Sequence, residues 1–124
     1  MAILQDHHII PQRFADDPAL RDLPFDIQAP SNRIFLPADT QLAADMGVSA
    51  HNGGHPVYNE GVRRTLVDLE NITDPNVRLG EVSTLQEAMR VALANGDLYA
   101  KPSAGKTPDQ MKLINDRFFG DWRG

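Results

Sequence analysis

The residues with the most chemistry to offer in this chain are its four histidines, which fall in two pairs, His7-His8 and His51-x-x-x-His55. The chain has no cysteine, so disulfides and thiolate metal sites are excluded, and a bound transition metal would use imidazole, carboxylate, amide or water. An imidazole titrates near neutrality and can either bind a divalent ion or take a proton from water. Adjacent side chains on an extended segment point to opposite faces, so one of His7 and His8 could ligate a metal while the other acts as a base. His51 and His55 would share a face if they lay on a helix, but Asn52-Gly53-Gly54 between them argues against a regular one. A loop ligand at His51 and a helix-entry ligand at His55 remain compatible with convergence. Each pair alone also has a plainer reading, as a solvated dipeptide or a capping arrangement. One reaction that would use both functions together is metal-assisted hydrolysis of a phosphodiester, which needs a base to activate water and a divalent ion to hold the phosphate and stabilise the leaving oxygen.

The elements that must position these residues can be read from pattern. Asp6-His7-His8-Ile9-Ile10-Pro11 has β-branched residues closed by proline, which predicts a short strand ending in a loop. Ser31-Asn32-Arg33-Ile34-Phe35-Leu36-Pro37 predicts a second strand, able to pair antiparallel with the first across a long connection. Between them, Ala15 to Pro30 carries three prolines and reads as a surface excursion with at most a short helix near Asp17 to Asp22. A helical turn is expected somewhere in Ala38 to Ala50. Pro56 opens a helix over about 56–69, with Val57, Val62, Leu66 and Leu69 recurring on one face. Asn71 to Gly80 reads as a turn-rich link, and Thr84-Leu85-Gln86-Glu87 as the capping box of a helix ending at Asn95-Gly96, with Leu85, Ala88, Met89, Ala92 and Leu93 inward. A last helix runs from Thr107-Pro108 to about Phe118, burying Met111, Ile114, Phe118 and Leu113. The expected fold class is α+β and α-rich: a single domain over 1–124, with a hairpin-plus-helix core at about 5–69 and a helical extension at about 80–120.

The order His-His, then Asn, then His-x-x-x-His resembles the HNH / endonuclease VII superfamily of His-Me finger nucleases. Asp6-His7-His8-Ile9-Ile10-Pro11-Gln12-Arg13-Phe14 is similar to its first strand and following loop, and Ser31 to Pro37 to the segment around the motif asparagine. His51-Asn52-Gly53-Gly54-His55-Pro56-Val57-Tyr58-Asn59 is similar to the helix entry of toxin nucleases in the group marked by a conserved Ala-His-His. Asp6 stands where that group has alanine. The resemblance covers roughly residues 5–69 and implies a ββα-metal core and an HNH-type endonuclease. It also implies His8 as general base, Asn32 bracing the loop that orients it, and His7, His51 and His55 around one divalent ion (Mg, Mn, Zn or Ni). The Gly-Gly and the 18 residues between Asn32 and His51 depart from the compact arrangement and leave open whether both later histidines bind metal. Tyr58, Asn59, Arg63 and Arg64, on the helix that follows, are candidate phosphate contacts.

The bulk composition qualifies this picture. A net charge of −5 is unusual for a nucleic-acid enzyme. Splitting the chain does not relieve it: residues 1–67 hold five Arg against eight Asp and Glu, and 68–124 seven Lys and Arg against nine. A bound divalent ion would supply the missing positive charge locally. With no apolar run of membrane length and no basic-then-apolar leader, the chain is expected to be soluble, cytoplasmic or delivered as a secreted bacterial effector. The expected partners are nucleic acid, DNA ahead of RNA, and by resemblance a cognate immunity protein; no membrane is expected. The competing class is a non-catalytic metal-binding or protein-interaction module.

Overall fold

A computed structural model of the chain describes residues 4–50, 56–101 and 105–123. Strand β1 (Leu4–His8) pairs antiparallel with β2 (Arg33–Pro37), in a register that sets His8 opposite Arg33, His7 opposite Ile34 and Asp6 opposite Phe35. Among the described residues four α-helices follow: α1 (Thr40–Met46), α2 (Pro56–Glu70), α3 (Pro75–Asn95) and α4 (Pro108–Asp121). The α-rich α+β class expected from pattern is the class observed.

The boundaries follow from local chemistry. Asp39 caps α1 by accepting from Gln41 N and Leu42 N, and Gly47, at φ 68°, ends it in the left-handed region that glycine enters without a Cβ penalty. Thr107 and Gln110 form a reciprocal capping box on α4, with Pro108 at the first helical position. Helix α2 begins at Pro56, as the proline implies.

Three expectations need correction. The stretch from Asn71 to Gly80 is not a link throughout: α3 starts at Pro75, capped by the Asp74 side chain, and carries Gly80 in its interior. Thr84 therefore caps nothing, and its hydroxyl donates back to Gly80 O at 3.0 Å within the helix. Leu113 faces solvent at 72% exposure, while Asn115 is the fully buried residue on that part of α4. The segment from Ala15 to Pro30 forms turns until Pro30 opens a short 3-10 helix (Pro30–Asn32), and it is no mere surface excursion: Ala19, Leu20 and Leu23 enter the core. Arg78 of α3, itself buried, explains how a proline-rich stretch is held there. Its guanidinium donates to Ala19 O at 2.9 Å and Ile72 O at 2.5 Å, and pairs with Asp22.

The core is continuous from the strand exit to the helices. Ile9, Ile10 and Leu36 pack with Tyr58, Val62, Leu66 and Leu69 of α2 and with Val82, Leu85, Met89 and Leu93 of α3. Helix α4 closes over α2 where Gly61 lets the Phe119 ring approach; a Cβ at Gly61 would overlap that ring.

Candidate active site

The site is built around the end of β1. His7 and His8 are its last two residues, and the pleat turns their side chains to opposite sides. His7 is 2% exposed and faces the first turn of α2, where its ring meets that of Tyr58 edge-on with centroids 5.2 Å apart. His8 is half-buried on the other side, with Nε2 2.8 Å from Gln28 Oε1.

The two residues after His8, Ile9 and Ile10, are fully buried, so their peptide groups must find partners inside the protein. All four do. Ile9 N donates to Asn32 O at 2.7 Å, and Ile9 O accepts from the Tyr58 hydroxyl. Ile10 N donates to Asn32 Oδ1 at 2.8 Å, and Ile10 O accepts from Asn32 Nδ2 at 2.9 Å. Asn32 is completely buried, and its amide also donates to Ile27 O at 2.9 Å and accepts from Gln86 Nε2 of α3 at 3.1 Å. Arg90, one turn further along α3, holds Pro30 O and Ser31 O at 3.1 and 2.9 Å. The turn leading into Asn32 is thus tied to α3, and Asn32 in turn ties down the chain leaving His8.

Several candidates from the sequence lie in this assembly and others do not. His7, His8, Asn32 and Tyr58 are brought together. His51 and His55 lie outside the described residues. Asn59 is partly buried in the first turn of α2, and its Oδ1 is enclosed without a hydrogen-bond partner among the described residues. Arg63 is exposed and paired with Glu60 at 2.5 Å, which lowers the Glu60 pKa and raises that of Arg63. Arg64 lies 3.6 Å from Asp116, whose pKa is lowered mainly by its hydrogen bond from Lys112. Burial pushes the Tyr58 hydroxyl well above its ordinary pKa, so it stays a protonated donor to Ile9 O.

Among the described residues no group of three or more His, Asp or Glu converges to hold a metal ion. They provide one fitting donor, the buried imidazole of His7, at the end of α2 whose first residue, Pro56, directly follows His55 in sequence. Gln28, Gln86 and Arg90 were not singled out by sequence reading. Only their polar type hinted at them, since His8, Asn32, Pro30 and Ser31, which they hold in this site, lie at least 20 residues from them.

A hairpin whose first strand ends on a histidine pair, with an asparagine stitching the exit loop and a helix closing over it, defines a small α+β protein built to hold two imidazoles on opposite faces. The model of a nuclease family of the HNH/ENDO VII superfamily, described by its conserved AHH, matches residues 2–90. The chain belongs to this AHH nuclease family. No curated protein and no solved structure matches it. Asp6, in place of the alanine, forms an ion pair with Arg33 across the hairpin. No helix among the described residues is long and apolar enough to cross a membrane.

Proposed function

We propose that this nuclease is an endonuclease that hydrolyses phosphodiester bonds with water activated by His8, and that His7 with His51 and His55 holds a single divalent cation. The observation that carries the reading is the complete pairing of the Ile9 and Ile10 backbone by Asn32 and Tyr58. A base must stay in place while its proton load changes, and a strand end anchored on both sides meets that requirement.

In this reading His8, half-buried and reachable, takes the proton from the attacking water. His7 is on the shielded side of the strand, facing the first turn of α2, which directly follows His55 in sequence. The bound cation supplies charge stabilisation at the scissile phosphate and the departing oxygen. An imidazole-rich donor set suits Zn, Ni or Mn, and Mg can serve hydrolysis as well. Asn32 is a positioning residue, since its amide reaches the strand exit and not the reacting atoms. Asn59, in the first turn of α2, would meet a phosphate through its amide Nδ2, since its Oδ1, like the phosphate oxygens, can only accept. Arg63 and Arg64 would first have to leave their carboxylate partners.

The substrate proposed is nucleic acid, DNA ahead of RNA. The likeness to toxin nucleases extends the proposal to a bacterial effector, cytoplasmic or secreted, restrained in its producer by an immunity protein. The test is incubation with plasmid DNA and with total RNA under Mg, Mn, Zn and Ni and under chelation. Cleavage of one polymer that needs a divalent ion and disappears in His8→Ala is expected. Failure to cut either polymer under every ion would remove the reading in favour of a non-catalytic binding module.

A further inference from the structure

The loop facing His8 contains a feature that the strand and Asn32 do not explain. Gln28 is exposed, yet its amide is engaged at both ends: Nε2 donates to Gln12 Oε1 at 2.8 Å, and Oε1 is 2.8 Å from His8 Nε2. An amide that donates through its nitrogen to Gln12 turns its oxygen to the histidine. An oxygen can only accept, so His8 Nε2 must carry the hydrogen. That leaves the lone pair of the neutral ring on Nδ1. The turn carrying Gln28 is fixed independently. Its backbone N donates to Asp26 Oδ1 at 2.9 Å, and the neighbouring Ile27 O accepts from Asn32 Nδ2 at 2.9 Å. Asn32 therefore holds both the strand exit beside His8 and the turn that presents Gln28, so the distance between the two is set by one side chain.

We infer that Gln28, oriented by Gln12, is a positioning residue for His8 that fixes its Nε2–H tautomer and assigns Nδ1 as the nitrogen that receives the proton from water. The inference rests on the reading of His8 as the base. A hydrogen bond on the far ring nitrogen is a general way of selecting a tautomer. At a water-accessible ring its contribution to folding is small, so loss of the bond should appear in the rate and not in stability.

The test combines cleavage kinetics with nitrogen chemical shifts of the His8 ring, at a pH where the ring is neutral, on the full chain. The substrate is a fluorescent oligonucleotide of whichever polymer the unaltered chain cuts. Gln28→Met keeps the length and removes the acceptor; it should lower kcat about tenfold, a fraction of what a general base contributes. KM and the melting temperature should hold, and part of the ring should move to the Nδ1–H form. Gln28→Glu keeps an acceptor oxygen and should restore both the tautomer and kcat. Gln12→Met should shift both readouts in the same direction but less, and it serves as the reading if Gln28→Met fails to fold. If His8→Ala still cleaves, the base assignment itself falls and this inference with it. If His8→Ala is inactive while Gln28→Met keeps the tautomer and kcat, the inference alone is overturned. It is equally overturned by an Nδ1–H ring in the unaltered chain, or by a loss confined to KM.

Discussion

At the scale of single residues, Asn32 accounts for most of what keeps the histidine pair in place. Replacing it by alanine would strand Ile10 N, Ile10 O, Ile27 O and the Gln86 amide, three of them backbone groups packed against the core. Orphaned buried groups cost about 1–3 kcal/mol each when water cannot reach them, so Asn32→Ala should lose about 3 kcal/mol or more in urea unfolding. Asn32→Asp should suffer similarly, because a carboxylate cannot donate to the Ile10 and Ile27 carbonyls. A second residue-scale prediction concerns acid stability. The Arg78 hydrogen bond holds the Asp22 carboxyl below its ordinary pKa of 3.8. A depressed folded-state pKa contributes stability that is fully present above the ordinary value and is lost as pH falls through the lowered one. Thermal melts of Asp22→Asn against the unaltered chain should therefore differ above about pH 4 and converge below it. Asn32 was legible in advance because the resemblance gave it a place between the two histidine pairs. Gln86 and Gln28 were not, because a glutamine carries no spacing signal when its partner is 54 or 20 residues distant.

At the scale of elements, hairpin and helix play separate parts. Pairing with β2 aligns the first histidine strand, while α2 and α3 supply the groups that receive its end. The hairpin, α2 and α4 were readable because proline, capping residues and alternation mark them locally. The start of α3 was misread: Asn-x-Thr-Asp-Pro looks like a turn, but Asp74-Pro75 is a cap followed by a first helical residue, the signature that correctly placed α4 at Thr107-Pro108. Leu113 and Asn115 were misjudged for a different reason. An asparagine on a helix is ordinarily solvated, whereas Asn115 turns inward to clamp Tyr99 N and Tyr99 O, both at 2.8 Å. Helix packing gives a prediction at this scale. Gly61→Ala would gain about 1 kcal/mol of helix propensity but drive a methyl into the Phe119 ring, and overpacking of that kind costs about 1–3 kcal/mol. A net loss of stability is expected in denaturant melts, and Phe119→Leu in the same chain should recover part of it. Phe119 also meets the Tyr58 ring edge-on at 6.4 Å, so the substitution should lower cleavage more than its stability cost alone implies.

At the scale of the whole molecule, the family match ends at residue 90, yet α4 beyond it supports α2 through Phe119 and Gly61. The acidic balance that argued against a nucleic-acid enzyme is partly explained by where the cations go. Arg33, Arg63, Arg64, Arg78 and Arg90 are all engaged with carboxylates within the fold. These five arginines therefore offer little free charge to a phosphate backbone, and under the proposed function a divalent ion at the histidines would supply it locally. The most direct test of this division of labour is calorimetric titration of Mn or Zn into His7→Ala and His8→Ala, with cleavage assayed on the same samples. His8→Ala is expected to bind the ion as the unaltered chain does but no longer to cut, and His7→Ala to bind it at least about tenfold more weakly. Full cleavage by His8→Ala, or unchanged ion binding by His7→Ala, would contradict this division of labour.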